Sequence, residues 1–200
     1  HGANRLGSNS LIDLVVFGRA AGLRCGETVE AGSAQPELSG SASELALSRL
    51  DKMRHAAGGT PTAELRLGMQ RVMQNNCAVF RDGPVLEEGV REISRIWQSS
   101  GDIEINDRTL IWNTDLVEAL EYDNLISQAA VTVFSAENRK ESRGAHARED
   151  FTERDDENWM KHTLAWADDA TREVKIDYRP VHTYTMTNAM SYIEPKARVY

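Results

Sequence analysis

The sequence is poor in cysteine: Cys25 and Cys77 are the only two in 200 residues, and neither belongs to a C-x-x-C pair. A disulfide framework, an iron–sulfur centre and a structural zinc site all need more thiols at closer spacing. The five histidines have no metal-ligand spacing, so no metal site is expected. This composition fits a reducing compartment.

Long apolar runs and excess basic charge are missing as well. No stretch approaches the roughly 20 apolar residues that cross a bilayer, and no signal peptide is visible, so direct membrane insertion is not expected. The 31 Asp and Glu outnumber the 23 Lys and Arg, which gives a formal net charge of −8. A chain of this charge is not expected to bind nucleic acid.

Familiar catalytic signatures are also missing. There is no legible Ser/His/Asp, Cys/His or H-E-x-x-H arrangement, and there is no G-x-G-x-x-G dinucleotide fingerprint. The sequence starts at His1 without a methionine, inside a loop of functional composition, and we interpret it as part of a longer chain. A dinucleotide-binding βαβ unit is then expected before His1.

A polar, glycine-containing loop does occur at 1–11, where the sequence is HGANRLGSNSL. Asn9 and Ser10 are good N-cap residues for an apolar helix predicted over 11–23. Amides at a helix N-terminus favour anions or the oxygens of a reduced cofactor, and Arg5 offers a planar fork of donors for a carboxylate or phosphate. The residues alone leave two interpretations open, an anion site and a plain capped helix.

The helix over 11–23 is apolar on nearly all sides, with Asp13 and Arg19 as its charged residues. Such a helix has to be covered by other protein. Nothing that directly follows it predicts a covering sheet. Its partner strands are therefore expected before His1.

Amphipathic periodicity predicts two helices after a linker at 26–43 that is rich in Gly, Ser and Ala. The first ends before Gly58, with His55 near its end. The second restarts at Thr60, with Pro61 in the first helical position. The predicted buried positions are Leu45, Ala46, Leu50 and Met53 in the first helix and Leu65, Met69, Val72 and Met73 in the second.

Two more helices are predicted, opened by Asp82 with Gly83-Pro84 and by Asn113. The last is the longest and largely buried. Short connections between such helices predict an antiparallel bundle. The predicted buried positions are Leu86, Val90, Ile93 and Trp97, followed by Leu116, Val117, Leu120, Leu125, Ile126, Ala129, Ala130, Val133 and Phe134.

The composition changes at 139–157, which is dense in charges of both signs. Such a segment forms either a solvated loop or an ion-pair lattice against a partner or neighbouring domain. His146 is the one histidine considered for a functional role, and its pKa should be lowered if Arg143 and Arg148 lie close. Alternating residues at 162–178, around Asp168-Asp169-Ala170, predict a β-hairpin.

Several separated motifs resemble one family, the flavoproteins of succinate dehydrogenase and fumarate reductase. The sequence at 1–22, HGANRLGSNSLIDLVVFGRAAG, is similar to the loop and helix that close the flavin site in that family. Further similar motifs follow in the same order: ESRGAHAREDF at 141–151, RDDENW at 154–159, KHTL at 161–164 and PKARVY at 195–200.

The residues and the resemblance together predict an α+β fold that is mainly α. It comprises a buried helix from the end of an FAD-binding domain, an antiparallel helical bundle and a small C-terminal β-hairpin segment. The expected divisions are 1–25 for the end of the FAD-binding domain, 26–43 for a linker, 44–140 for a helical domain, and 141–200 for the charged segment and small β region.

The resemblance implies roles for four residues. In this family the Arg of the H-G-A-N-R motif holds a carboxylate of succinate, and the matching residue is Arg5. Ser8 is implied to contact the dicarboxylate, while Ser10 and Leu11 are implied to contact FAD. No catalytic residue is assigned within this sequence, because the family's FAD-attachment His, proton-transferring Arg and pyrophosphate loop match positions before His1.

The implied activity is that of a succinate dehydrogenase flavoprotein subunit, which oxidises succinate to fumarate through FAD and passes electrons via iron–sulfur clusters to quinone. The alternatives are a quinol:fumarate reductase subunit and a non-catalytic module that docks an iron–sulfur subunit. Implied partners are an iron–sulfur subunit and, through it, membrane anchor subunits, on the cytoplasmic face of a bacterial inner membrane or the mitochondrial matrix face. The 200 residues alone are expected to be inactive, with docking expected around 143–156.

Overall fold

The computed structural model describes residues 9–185 and 187–196. In this part of the chain, helices predominate and the strands form small two-stranded sheets, so the predicted mainly helical α+β class is confirmed. The helices are α1 Asn9–Thr28, α2 Glu44–Arg54, α3 Thr62–Asn76, α4 Gly83–Ser99, α5 Thr114–Asn138 and the short α6 Asp156–Trp159. The strands are β1 Thr60–Pro61, β2 Phe80–Arg81, β3 Ile103–Glu104, β4 Ala147–Arg148, β5 Lys161–Asp168 and β6 Glu173–Pro180.

The core lies where α3, α4 and α5 pack together. Apolar residues at helical spacing on α4 and α5 face each other, and the most buried of these include Leu86, Ile93, Ile126 and Val133. The N-caps predicted for α4 and α5 are present, because Asp82 accepts the amide of Val85 at 2.9 Å and Asn113 accepts that of Leu116 at 2.8 Å.

The predicted start of α3 is wrong by one residue. Pro61 precedes the helix as its N-cap, with an extended backbone at φ −61° and ψ 140°. Thr60 and Pro61 instead form β1, which pairs in parallel with β3. A pairing partner more than forty residues away in the chain, which local periodicity does not reveal, holds this proline in extended conformation.

α5 is the longest of the described helices, as predicted, but two positions predicted to be buried are exposed. Eight of its residues are buried, but Val117 is 54 % exposed and Leu125 is also exposed. Within the described part of the chain, α5 packs against α2, α3, α4 and the C-terminal hairpin, and these two side chains lie outside those contacts.

The predicted hairpin is confirmed as β5 and β6, antiparallel from the pair Lys161 and Pro180 to the pair Asp168 and Glu173. Asp168 stabilises the turn by accepting the amides of Ala170 at 2.8 Å and Thr171 at 3.0 Å. The hairpin packs against α5, so it is tied to the helical core.

Candidate functional site

The N-terminal end of α1 carries the described part of the predicted flavin site. α1 begins at Asn9 and ends at Thr28. The helix therefore includes both predicted cap residues, Asn9 and Ser10, and residues 26–28 of the predicted linker. Ser10 and Leu11 lie in its first turn, which contains no acidic residue. Arg5 and Ser8 lie outside the described residues. The structure therefore positions two of the four predicted site residues.

The surface of α1 is apolar and uncovered by the described part of the chain. Large apolar side chains are exposed around the helix: Leu11, Ile12, Leu14, Val15, Val16, Phe17 and Leu23. Covering one such side chain is worth about 1.5–3 kcal/mol. The side chain of Phe17, for example, is 66 % exposed. The predicted burial of this helix stays a prediction that needs protein beyond the described residues.

The first turn of α1 fits a flavin in its chemistry. The first amides of a helix have no carbonyl partner within the helix, and the helix dipole favours negative charge at this end. Leu11 is 62 % exposed, so it offers an apolar surface beside those amides. A flat ring with an anionic edge is the kind of group that uses both features.

A second cluster of functional-type side chains centres on Glu141, which is fully buried. Its carboxylate accepts Arg143 Nε at 2.8 Å and Nη2 at 3.0 Å, the Asp155 amide at 2.9 Å, and Arg139 Nη1. Burial opposes ionisation of Glu141, but these hydrogen bonds outweigh it, so its pKa lies below the usual value. The buried charge is therefore fully compensated.

Arg148, also buried, joins this segment to the end of α5. Its Nε and Nη2 atoms each donate to Asp150 at 2.7 Å. Its Nη1 donates to three carbonyls at the end of α5, those of Ala136, Glu137 and Arg139. A cation at a helix C-terminus satisfies carbonyls that lack helical partners and complements the dipole.

His146 is held at both ring nitrogens beside a groove of about 360 Å³. Nδ1 lies 2.9 Å from Arg81 Nη1 and Nε2 lies 2.9 Å from the Arg139 carbonyl. Because a guanidinium only donates and a carbonyl only accepts, the ring is the neutral tautomer with its proton on Nε2. Burial and then the positive charges of Arg81, Arg148 and Arg139 lower its pKa. The neutral imidazole therefore links Arg81 to the Arg139 carbonyl and has a structural role.

Of the two interpretations of 139–157, the ion-pair lattice is present, and its described pairs lie within this chain. A lattice against a partner or neighbouring domain stays a prediction. The expected proximity of Arg148 to His146 is confirmed. Arg143 is also adjacent to His146 through paired backbone hydrogen bonds, but its guanidinium pairs with Glu141 and Asp156. Sequence reasoning missed Arg81, which lies 65 residues before His146 in the chain and approaches it because β2 pairs with β4. No local signal in the sequence marks that pairing.

Residues 9–185 and 187–196 contain no cluster of three His, Cys, Asp or Glu side chains suited to a metal ion. They contain no helix with the length and hydropathy needed to cross a membrane.

Comparison with known proteins places these features in context. Residues 66–200 match the family described as fumarate reductase flavoprotein C-term. The whole chain is 55 % identical to part of the mitochondrial succinate dehydrogenase [ubiquinone] flavoprotein subunit of Oryza sativa subsp. japonica, covering 31 % of that protein. It is 54 % identical to part of the succinate dehydrogenase flavoprotein subunit of Rickettsia bellii, covering 33 % of it. The chain thus spans about a third of the length of these relatives.

The fold is similar to that of a solved quinol fumarate reductase from E. coli, with a TM-score of 0.80 and 36 % sequence identity. That similarity covers 95 % of this chain and 33 % of the other. A matching family model, whole-chain identity above one half and a shared fold agree with the motifs at 1–22 and 141–164. The chain belongs to the succinate dehydrogenase and fumarate reductase flavoprotein family.

Proposed function

We propose that this chain forms the C-terminal part of a succinate dehydrogenase flavoprotein subunit, which oxidises succinate to fumarate. The observation that carries the proposal is identity of 55 % over all 200 residues, from the HGANRLGSNSL loop to the C-terminal end. The uncovered apolar surface of α1 supports it, because this helix needs a large protein neighbour such as an FAD-binding domain. The 200 residues alone are expected to be inactive.

Each proposed site residue has a distinct task. Arg5 holds one carboxylate of succinate in a two-pronged contact, which fixes the orientation of the substrate. Ser8 contacts the same dicarboxylate. Ser10 and Leu11 contact FAD at the first turn of α1, where backbone amides stabilise negative charge. FAD, when bound, supplies the hydride acceptor.

The proposed partners are an iron–sulfur subunit, which receives the electrons, and membrane anchor subunits bound through it. The complex would lie on the cytoplasmic face of a bacterial inner membrane or the mitochondrial matrix face, with this chain peripheral. Membership of a family that includes a solved quinol fumarate reductase supports such an assembly.

We also retain the proposed divisions at 1–25, 26–43, 44–140 and 141–200.

The test is Arg5→Lys and Arg5→Ala in the complete subunit, with Arg19→Lys on α1 as a matched control. A point charge does not replace the guanidinium fork, so both Arg5 variants should lose at least about a hundredfold in kcat/KM for succinate. FAD content, measured by absorbance, should stay unchanged. Unchanged turnover in Arg5→Ala would contradict the substrate clamp and favour a non-catalytic docking module.

A second candidate function is fumarate reduction with quinol, favoured by the similarity to the E. coli quinol fumarate reductase. The residues proposed to hold the dicarboxylate serve either direction equally. Succinate oxidation and fumarate reduction should therefore be compared in the assembled complex. A faster fumarate reduction with quinol at equal driving force would favour this second function.

A further inference from the structure

A cavity of about 490 Å³, separate from α1, lies between α2, the end of α4 and the turn of the β5–β6 hairpin. Its volume falls within the range of small-molecule sites, about 300–1,000 Å³. The apolar part of its lining includes Met53, Trp97 and Ile103. Trp97 and Ile103 are buried members of the core, and Met53 packs against it, so this wall is fixed by packing.

The charges around this cavity are unbalanced toward positive. Arg49 is neutralised by Asp123, with Nη2 to Oδ2 at 2.5 Å. Lys52 and Arg172 also line the cavity, and neither forms an ion pair with a carboxylate of the described chain. Asp169 is the one lining carboxylate that does not pair with a lining cation. The excess of one positive charge contrasts with the net charge of −8 of the whole chain.

Arg172 is held in place over the cavity wall. It lies in the hairpin turn with φ at 58° and its Nη1 donates to the Gln98 carbonyl. Gly101 makes room for it, since a Cβ at position 101 would lie 3.1 Å from Nη1 and 3.2 Å from Nη2. The guanidinium is therefore preorganised, whereas the Lys52 ammonium on exposed α2 is free to move toward a ligand.

A buried tyrosine lies behind Ser100, one of the polar residues of the lining. Ser100 faces the cavity, and its Oγ lies 2.7 Å from the Tyr122 hydroxyl. Burial raises the pKa of Tyr122, so the phenol stays protonated and acts as a hydrogen-bond donor or acceptor, never as a competing anion.

We propose that this cavity binds a small aromatic carboxylate. The planar body lies against Met53 and Trp97, and the carboxylate lies between Lys52 and Arg172. An apolar wall and two lining cations without carboxylate partners are the features that such a ligand requires. This proposal does not rest on the proposed function, and the two proposals stand or fall separately.

The test uses the complete flavoprotein subunit, saturated with succinate so that benzoate does not bind at the dicarboxylate site. Benzoate binding is followed by saturation-transfer NMR and calorimetry, with benzamide as the neutral ligand of the same shape. Benzamide should bind at least fivefold more weakly. Lys52→Met should weaken benzoate binding at least fivefold, whereas Lys52→Arg should restore it.

The matched control is Lys175→Met, which removes an exposed lysine of β6 outside the cavity lining. Circular dichroism should show every variant folded, because both lysines are exposed. The proposal is overturned if benzoate and benzamide bind equally, if Lys52→Met behaves as Lys175→Met does, or if no saturable binding is found. Loss of turnover in Arg5 variants with benzoate binding retained would leave this site standing without the proposed function.

Discussion

Arg143 and Glu141 form a two-pronged ion pair, with Nε to Oε1 at 2.8 Å and Nη2 to Oε2 at 3.0 Å, around a carboxylate that is fully buried. Arg139 and the Asp155 amide bind the same carboxylate. The end of α5, the charged segment and the start of the hairpin are thereby linked, because Arg139 also donates to the carbonyls of Trp159 and Lys161.

Glu141→Gln should destabilise this region by about 3 kcal/mol, because it leaves Arg139 without its counter-ion and Arg143 with Asp156 alone. The measurement is hydrogen exchange of amides 139–163 in the complete subunit, which should accelerate roughly a hundredfold. Glu92→Gln removes the exposed partner of Arg95 and should leave exchange unchanged. Equal protection in wild type and Glu141→Gln would show that the lattice is not stabilising.

Asp150 should make this region sensitive to acid. Hydrogen bonds from Arg148, assisted by the Gly83 amide and opposed by burial, lower the pKa of Asp150 from 3.8 to about 2. A carboxylate with a depressed pKa stabilises the fold fully above its unfolded pKa of about 3.9, and loses that contribution as pH falls toward the folded value. Protection of amides 139–150, corrected for intrinsic exchange, should therefore decrease as pH falls below about 4.

The matched pair for that experiment is Asp150→Asn and Glu157→Gln, which remove one negative charge each. Asp150→Asn should lower protection at pH 6 and reduce the decrease below pH 4, whereas the exposed Glu157 should have no effect. Identical acid profiles for wild type and Asp150→Asn would assign the sensitivity to other groups.

Two helical glycines should respond oppositely to alanine. At Gly89 on α4 a Cβ would lie 2.8 Å from Asn76 Cβ and 3.2 Å from Val133 Cγ2, so Gly89→Ala should destabilise by about 1–3 kcal/mol. At Gly68 on α3 the nearest atom is Ile96 Cδ1 at 3.5 Å, so Gly68→Ala should stabilise by about 0.5–1 kcal/mol through helix propensity. Scanning calorimetry of the complete subunit measures the change in stability of each variant. Stability changes of the same sign in the two variants would refute the packing argument.

Retention of FAD is predicted to require the apolar surface of α1. This prediction rests on the proposed function. Phe17→Asp in the complete subunit should lower FAD content severalfold, because a buried charge would separate α1 from its expected neighbour. Leu38→Asp changes a leucine that is even more exposed, in the segment between α1 and α2, and should leave FAD content unchanged. FAD absorbance per polypeptide gives the readout, and equal loss in both variants would argue against a specific contact of α1.

Local signals in the sequence determined a large part of this fold. Asp82 and Asn113 start helices because a side-chain oxygen three residues before an amide can accept its proton wherever the helix packs. Asp168 and the alternating residues around it specify the hairpin in the same local way. The family, too, was evident from short motifs, and whole-chain comparison confirms it.

Tertiary structure decided what depends on residues far apart in the chain. Pro61 is in a strand because β3 lies beside it, and Val117 is exposed because no element among the described residues covers that side of α5. His146 is a neutral link because Arg81, 65 residues away, donates to its Nδ1. Hydrophobic periodicity and capping act over a single helical turn, whereas burial, ion pairing and pKa are set by whichever distant groups the fold brings within a few ångströms.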